Sequence, residues 1–543
     1  MRRRDREGAE SAAGEEHGGP GDGPGAPGRA GLDETLRRRA LLEDAARPDA
    51  VERRHAGGRR TARENLADLV DDGSFVEYGG LAIAAQRARR ELRELLERTP
   101  ADGLVGGTAR INGELFGGER SACAVLSYDY TVLAGTQGAL GHQKKDRLFE
   151  LIERMRLPTV FFAEGGGGRP GDTDFAVVSG LQVRAFALWA GLSGLVPRIS
   201  IVSGRCFAGN AVIAGCSDLI VATPDASLGM GGPAMIEGGG LGRFEPEEVG
   251  PLSVQAPNGV VDVTAADEAE AVAVTKRLLS YFQGAIEPGA EPDQERLREA
   301  VPERSRRAYE IEPVIATLAD EGSTTFLREP FAPEMVTALA RIEGRPLGVI
   351  ANNTMHSAGA ITSDGADKAA RFMQLCDAFA LPVLSLIDTP GMMVGPEAEA
   401  TALVRHCSRL FVTGASLRVP LVAVILRRAY GLGAQAMAAG SLREPILTVG
   451  WPTAELGAMG LEGAVKLGLR RELDAIPDHE QREMRIRELT AAAHEHAKAL
   501  NAATLFELDD VIDPAETRRL IASTLVAAGE DRPEGGHSYV DTW

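Results

Sequence analysis

Residues 196–211 read VPRISIVSGRCFAGNA, and residues 419–434 read VPLVAVILRRAYGLGA. The two stretches align without a gap: a Val-Pro entry, a β-branched run, an arginine, an aromatic residue and a small-residue turn. Upstream, Leu157-Pro158 opens TVFFAEGGGG and Leu381-Pro382 opens VLSLIDTPG. These Leu-Pro pairs stand 39 and 38 residues before their Val-Pro partners, a spacing that unrelated loops do not keep by chance. One βαβ-type module is therefore used twice, and each copy ends in two glycine-rich turns. The runs 160–162 and 383–387 are largely apolar throughout, the pattern of strands in a sheet buried on both faces.

Helical periodicity precedes each Leu-Pro strand. Leu148, Phe149, Leu151, Ile152 and Met155 form one face, and Ala369, Phe372, Met373, Cys376 and Phe379 form its counterpart. Leu403, Val404, Cys407, Leu410 and Phe411 predict a further helix between the second pair of strands. These stripes are core and build the scaffold. The chemistry belongs to the loops that follow.

With 543 residues the chain is too long for one core, and two domains plus a tail are expected. Residues 1–31 carry almost nothing to bury and are predicted to be a disordered tail. An N-terminal domain is predicted over 32–285, a proline-bearing connector over 286–307 and a C-terminal domain over 308–540. The formal charge of −19 argues against nucleic acid as a main partner, because phosphate backbones demand a basic surface. The five cysteines show no CxxC spacing and are expected as buried, reduced thiols. No long apolar run reads as a membrane span, and the start MRRRDRE lacks the apolar segment of a signal peptide, so a cytoplasmic location is expected.

Glu164 is followed by glycines 165–168 and Arg169, and the strand at 199–202 runs into the turn 204–210. A strand-to-helix turn leaves its first helical N–H groups unpaired, so a developing oxyanion finds donors there. The stretch 430–434 offers the same arrangement in the second half. A single glycine loop is weak evidence; two matched pairs are much stronger. No GxxxxGK[ST], dinucleotide fingerprint or GxSxG elbow is present. His494 and His496 stand two apart without a nearby third ligand, and no metal is expected. Backbone donors remain, the tool for holding enolates and tetrahedral oxyanions.

Further stretches carry a resemblance across nearly the whole chain: 62–79 (ARENLADLVDDGSFVEYG), 99–114 (TPADGLVGGTARINGE), 138–158 (GALGHQKKDRLFELIERMRLP), 364–395, 448–465 (TVGWPTAELGAMGLEGAV) and 508–521 (LDDVIDPAETRRLI). In this ordered set the chain resembles the carboxyltransferase (β) component of biotin-dependent acyl-CoA carboxylases, of the propionyl-CoA and acetyl-CoA carboxylase type. The resemblance implies an α/β fold of two crotonase-like spiral ββα domains in tandem, assembled as a homo-hexamer. It implies transfer of a carboxyl group from carboxybiotin, carried on a separate protein, to the α-carbon of an acyl-CoA through an enolate. Such a route needs two oxyanion holes and no side-chain base.

By the same resemblance the catalytic amides fall on Gly209 and Asn210 in the first half and on Leu432 and Gly433 in the second. The family commonly has small residues at all four, so Asn210 and Leu432 depart from its pattern. Gly166, Gly167, Tyr430 and Gln435 are expected at the substrate, Gln435 standing where short-chain enzymes often carry an acyl-selecting Asp. Lys144 and Lys145 read either as attractors of coenzyme A phosphates or as a solvated helix face. Arg205 and Arg428, superposed by the repeat, read either as ligand-orienting groups or as ion pairs. No MKM-type biotinylation site occurs, so biotin carboxylase and biotin carboxyl carrier protein are expected as partners. The open alternatives are the reverse transfer in a decarboxylase and an inactive subunit of a mixed oligomer.

Overall fold

The computed structural model describes residues 27–175, 179–304, 307–529 and 539–543. The first half contains β1 (Val76–Glu77), β2 (Leu104–Arg110), β3 (Ala122–Tyr128), β4 (Thr159–Phe162), β5 (Arg198–Val202), β6 (Arg205–Phe207), β7 (Leu219–Ala222), β8 (Ser227–Gly229) and β9 (Val263–Thr264). The second contains β10 (Thr325–Leu327), β11 (Met335–Ile342), β12 (Arg345–Asn352), β13 (Val383–Thr389), β14 (Leu421–Tyr430), β15 (Leu447–Gly450), β16 (Glu455–Gly457) and β17 (Asp510–Val511). Strand order is β1-β2-β3-β4-β5-β7-β9 in one sheet and β10-β11-β12-β13-β14-β15-β17 in the other. The two orders are the same topology.

Register repeats as well as order. Thr159 pairs with Arg198 as Val383 pairs with Leu421, and Ala124 pairs with Thr159 as Gly348 pairs with Val383. The β3, β4, β5 and β7 ladders are parallel, and their strands are buried but for Ala122 at the start of β3, as the continuous apolar runs require. Beyond the main sheet, β6 and β8 form a two-stranded parallel ladder. Its counterpart is the end of β14, Arg428 to Tyr430, pairing with β16. The first half breaks its strand between Val202 and Arg205; the second runs through.

The halves are joined through one of their apolar clusters. A single apolar cluster joins Val160, Ile199 and Leu278 to Met335, Phe372 and Ile425. Polar contacts cross the same boundary, among them Arg328 pairing with Asp262 at 2.9 Å and Arg371 donating to the Asp218 carbonyl at 2.6 Å.

Several expectations are revised. The helix Pro27–Ala40 begins inside the segment read as a tail, and the rest of that segment, 1–26, lies outside the described residues. The connector is not a free linker: Leu297 and Val301 are buried in the second domain's core, and Arg298 pairs with Asp513. Met155 and Val404, read as core, are more than half exposed. All five cysteines are free thiols, Cys216 half-buried and the others buried. Among the described residues no helix is long and apolar enough to cross a membrane, and no cluster of His, Cys, Asp or Glu would hold a metal.

Candidate active site

Each half ends β6 or β14 in a sharp turn into a short helix. The helix Gly209–Gly215 follows Ala208, whose φ of 51° and ψ of −120° is a conformation L-residues avoid. The helix Gly431–Met437 opens with Gly431 at φ 56°, the position the repeat matches to Ala208. Positive φ at both corners turns the chain so that the next amides leave the sheet end first. Those amides, of Gly209 and Asn210 and of Leu432 and Gly433, stand in the first turn, where no intrahelical acceptor exists.

Both helices are pinned from below. Trp189, fully buried against Phe149 and Phe161, donates its indole N–H to the Ile213 carbonyl at 2.8 Å. In the second half the Ser385 hydroxyl donates to the Met437 carbonyl at 2.7 Å.

The bulky departures do not fill the turns. Asn210 is completely buried, and its side chain points inward: Oδ1 accepts from Gly167 N at 3.0 Å and from Gln137 Nε2 at 3.1 Å. Leu432 is 61% exposed, its side chain outside the fold. Gly433 has no room for a side chain, since a Cβ there would stand 2.7 Å from the Gly391 backbone. That contact packs the second half's first loop against its helix turn. In the first half Asn210 and Gly167 meet at the matching positions.

The remaining expected residues divide. Gly166 N donates to the Ala134 carbonyl at 3.2 Å and Gly167 N to Asn210, so neither amide is free for a ligand. Tyr430 is buried with its hydroxyl on Glu455 at 2.9 Å, while Gln435 is exposed on the turn helix. Arg205 pairs with Glu247 at 2.8 Å on the surface, and Arg428 pairs with the buried Asp388 at 2.7 Å.

Lys144 and Lys145 are the clearest correction. Neither lies on a solvated face or free to meet phosphates. Lys144 Nζ donates to the Ala101 carbonyl at 3.2 Å and to that of Leu104. Lys145, with no exposure at all, donates to Tyr128 Oη at 3.0 Å and to Gln137 Oε1. The helix Ala139–Met155 packs this face against the β2–β3 hairpin, so the amines must find partners inside. Lys368, the repeat's match to Lys144, does likewise, donating to the Arg328 and Phe331 carbonyls at 2.9 and 2.7 Å.

One feature of the site escaped the sequence. Seven residues past the leucine of each Leu-Pro pair stands a buried carboxylate clamped by two arginines. Glu164 is held by Arg54 and by Arg59 at 2.7 Å; Asp388 is held by Arg427 at 2.9 Å and Arg428 at 2.7 Å. In the second half the clamp comes from β14 itself. In the first it comes from the N-terminal segment, and Gly204 is what admits it: a Cβ there would meet Arg59 Nη1 at 2.0 Å. The matched Leu-Pro spacing was the signal that could have found this pair.

Burial pushes Lys144 down to about 8 and Lys145 and Lys368 down to about 7. It also lowers His142 to about 3, with the Lys145 and Arg169 charges adding to the effect. Unfolded lysines hold their proton to about pH 10.4, so between about pH 7 and 8.5 the unfolded chain binds more protons and stability rises with pH. Above that range the thiols oppose it, because burial raises Cys123, Cys206 and Cys376 above their unfolded values. The urea midpoint should therefore be higher at the alkaline end of this window; a fall would contradict the burial of these amines.

The carboxyl transferase domain model matches residues 53–534. The biotin-dependent long chain acyl-coenzyme A carboxylase beta4 subunit of Mycobacterium tuberculosis is 32% identical over 519 residues, covering 91% of this chain and 93% of that one. Among solved structures, a single-chain, multi-domain long-chain acyl-CoA carboxylase superposes with a TM-score of 0.87 at 56% identity, over 91% of this chain. This chain spans about half of that protein, 49% of its length. The transcarboxylase 12S hexamer, solved with methylmalonyl-CoA and methylmalonic acid bound, superposes with a TM-score of 0.82 at 29% identity, covering 94% of this chain and 97% of that one. The two-fold sheet topology, the paired turns and these matches agree: the chain belongs to the carboxyl transferase domain family, as a carboxyltransferase of the biotin-dependent acyl-CoA carboxylase group.

Proposed function

We propose that the chain carboxylates the α-carbon of a long-chain acyl-CoA, with the thioester oxygen held by the amides of Gly209 and Asn210. The amides of Leu432 and Gly433 receive the oxygen of the biotin ring. Carboxybiotin, when bound, supplies the carboxyl group and the base that takes the α-proton. The chain's own part is to stabilise negative charge. Two amides aimed at one point favour the enolate over the ground-state carbonyl, and differential stabilisation of that kind is what accelerates the step. No side-chain base is required, and Lys144 and Lys145 are engaged inside the fold.

The observation that carries this reading is the repeated turn: positive φ at Ala208 and Gly431, followed in both halves by first-turn amides, with Asn210 turned inward and Leu432 outward. The 56% identity to a long-chain enzyme supports the acyl class. Biotin carboxylase and biotin carboxyl carrier protein are proposed as partners, and a homo-hexamer, the assembly of the 12S neighbour, as the working form. A cytoplasmic setting suits these partners.

The test supplies biotin carboxylase, carrier, ATP and labelled bicarbonate, then scans acyl-CoAs from propionyl to palmitoyl. Label should enter the thioester with kcat/KM highest for the long chains. Label in short chains alone would reject the acyl class, and no label in any would reject the function.

A further inference from the structure

The two halves differ in kind behind their turns. In the second half the repeat places Ile361, Ala369 and Gly433 there, all without polar side chains. The first half has Gln137, Lys145 and Asn210 at those positions, all buried and joined in one line. Lys145 Nζ donates to Gln137 Oε1, Gln137 Nε2 donates to Asn210 Oδ1 at 3.1 Å, and Gly167 N donates to the same oxygen at 3.0 Å. Asn210 Nδ2 faces the carbonyls of Gly135 and Glu164 at 3.4 and 3.5 Å. The line thus ties together the helix Ala139–Met155, the loop 165–168 and the turn at Gly209.

Packing does not demand this arrangement, because the second half fills the same place with apolar residues. Burying an amine without a hydrogen-bonded carboxylate is costly, and Lys145 donates to Tyr128 Oη and Gln137, lies by the faces of Tyr128 and Phe186 at 5.5 and 5.7 Å, and meets the charges of Asp146 and Asp102 only at longer range. What the amine adds is direction. An amide side chain can present either end, and this line is set from both: Lys145 donates at one end, and the Gly167 N–H, which can only donate, holds Asn210 Oδ1 at the other. With Lys145 donating, Gln137 offers its oxygen backward and its NH2 forward. Asn210 must then offer its oxygen to Gln137 and to the Gly167 amide.

We propose that Lys145 is a positioning residue for carboxyl transfer: through Gln137 and Asn210 it locks the glycine loop against the turn, so that the Gly209 and Asn210 amides aim at one point. The second half, whose Gly433 packs directly on Gly391, needs no such line. This rests on the reading of the first-half turn as the enolate site.

Three variants of the full chain test it in the complete carboxylation assay: Lys145→Met, Gln137→Met and the double variant. Lys145→Met keeps the length and removes the buried amine but leaves Gln137 Oε1 without its donor, so the melting temperature should fall by no more than one unsatisfied buried acceptor costs. Its kcat should drop about tenfold or more, short of the roughly hundredfold cost of losing a donor itself, and KM for the acyl-CoA should move less than about threefold. Gln137→Met, which leaves the lysine in place, should show the same kcat loss, and it reads the line even if Lys145→Met folds poorly. The double variant should cost no more than the worse single one, since one line is broken once. A wild-type chain that transfers nothing overturns the functional reading, and this inference with it. A wild-type chain that transfers while Gln137→Met keeps full kcat, or a double variant with additive losses, overturns the inference alone.

Discussion

Replacing Leu432 with proline should slow carboxyl transfer about a hundredfold or more, the scale of losing one preorganised oxyanion donor. The site allows a clean deletion. Leu432 is the second residue of the helix Gly431–Met437, and its side chain is 61% exposed, so the exchange disturbs little packing. Proline is tolerated in a helix's first turn because the N–H it lacks has no intrahelical partner there. Only the amide is removed. Leu432→Ala, which keeps the amide and trims the side chain, should stay within about threefold of wild type, as exposed surface changes usually do. Turnover and melting temperature, measured on both variants, separate the cases. Equal losses in the two would assign the effect to the side chain, and full activity in Leu432→Pro would remove this amide from the chemistry.

Asp388→Ala should cost about 3–5 kcal/mol of stability, the range for leaving a buried charge without its partner. Asp388 is wholly buried and holds both Arg427 and Arg428. Arg427 also stacks on Tyr309 at 5.0 Å and donates to the Arg307 carbonyl at 2.7 Å, so it has nowhere to withdraw. Arg428 is nearly as confined, with its other bond to the Ala358 carbonyl at 2.8 Å. Urea unfolding gives the comparison directly. Glu164→Ala should lose less, because Arg59 on its clamp is partly exposed and can turn to water and Asp225. Losses in the reverse order would contradict the account of how the two clamps are built.

The fold was legible because spacing is a backbone property. The Leu-Pro and Val-Pro pairs mark where parallel strands enter each sheet, and two sheets with matching register followed from them. The turns were legible for the same reason. Side-chain environments were harder to read. Lys144 and Lys145 look solvated in sequence, and only the fold reveals that their helix presses them onto the β2–β3 hairpin. The repeat already held the warning, since Lys368 stands at the matching position. Gly166 and Gly167 are expected at the substrate, and a sequence does not show that Ala134 and Asn210 take up their amides. The prolines and charges of the connector hide two apolar residues, Leu297 and Val301, that are buried among the apolar residues of the second half.

One structure decides the matter: the wild-type protein with a non-reactive acyl-CoA analogue whose thioester oxygen mimics the enolate. The account places that oxygen about 2.7–3.1 Å from the amides of both Gly209 and Asn210, the geometry of a working oxyanion hole. An analogue bound with its thioester oxygen on side chains, or facing away from this turn, would contradict it.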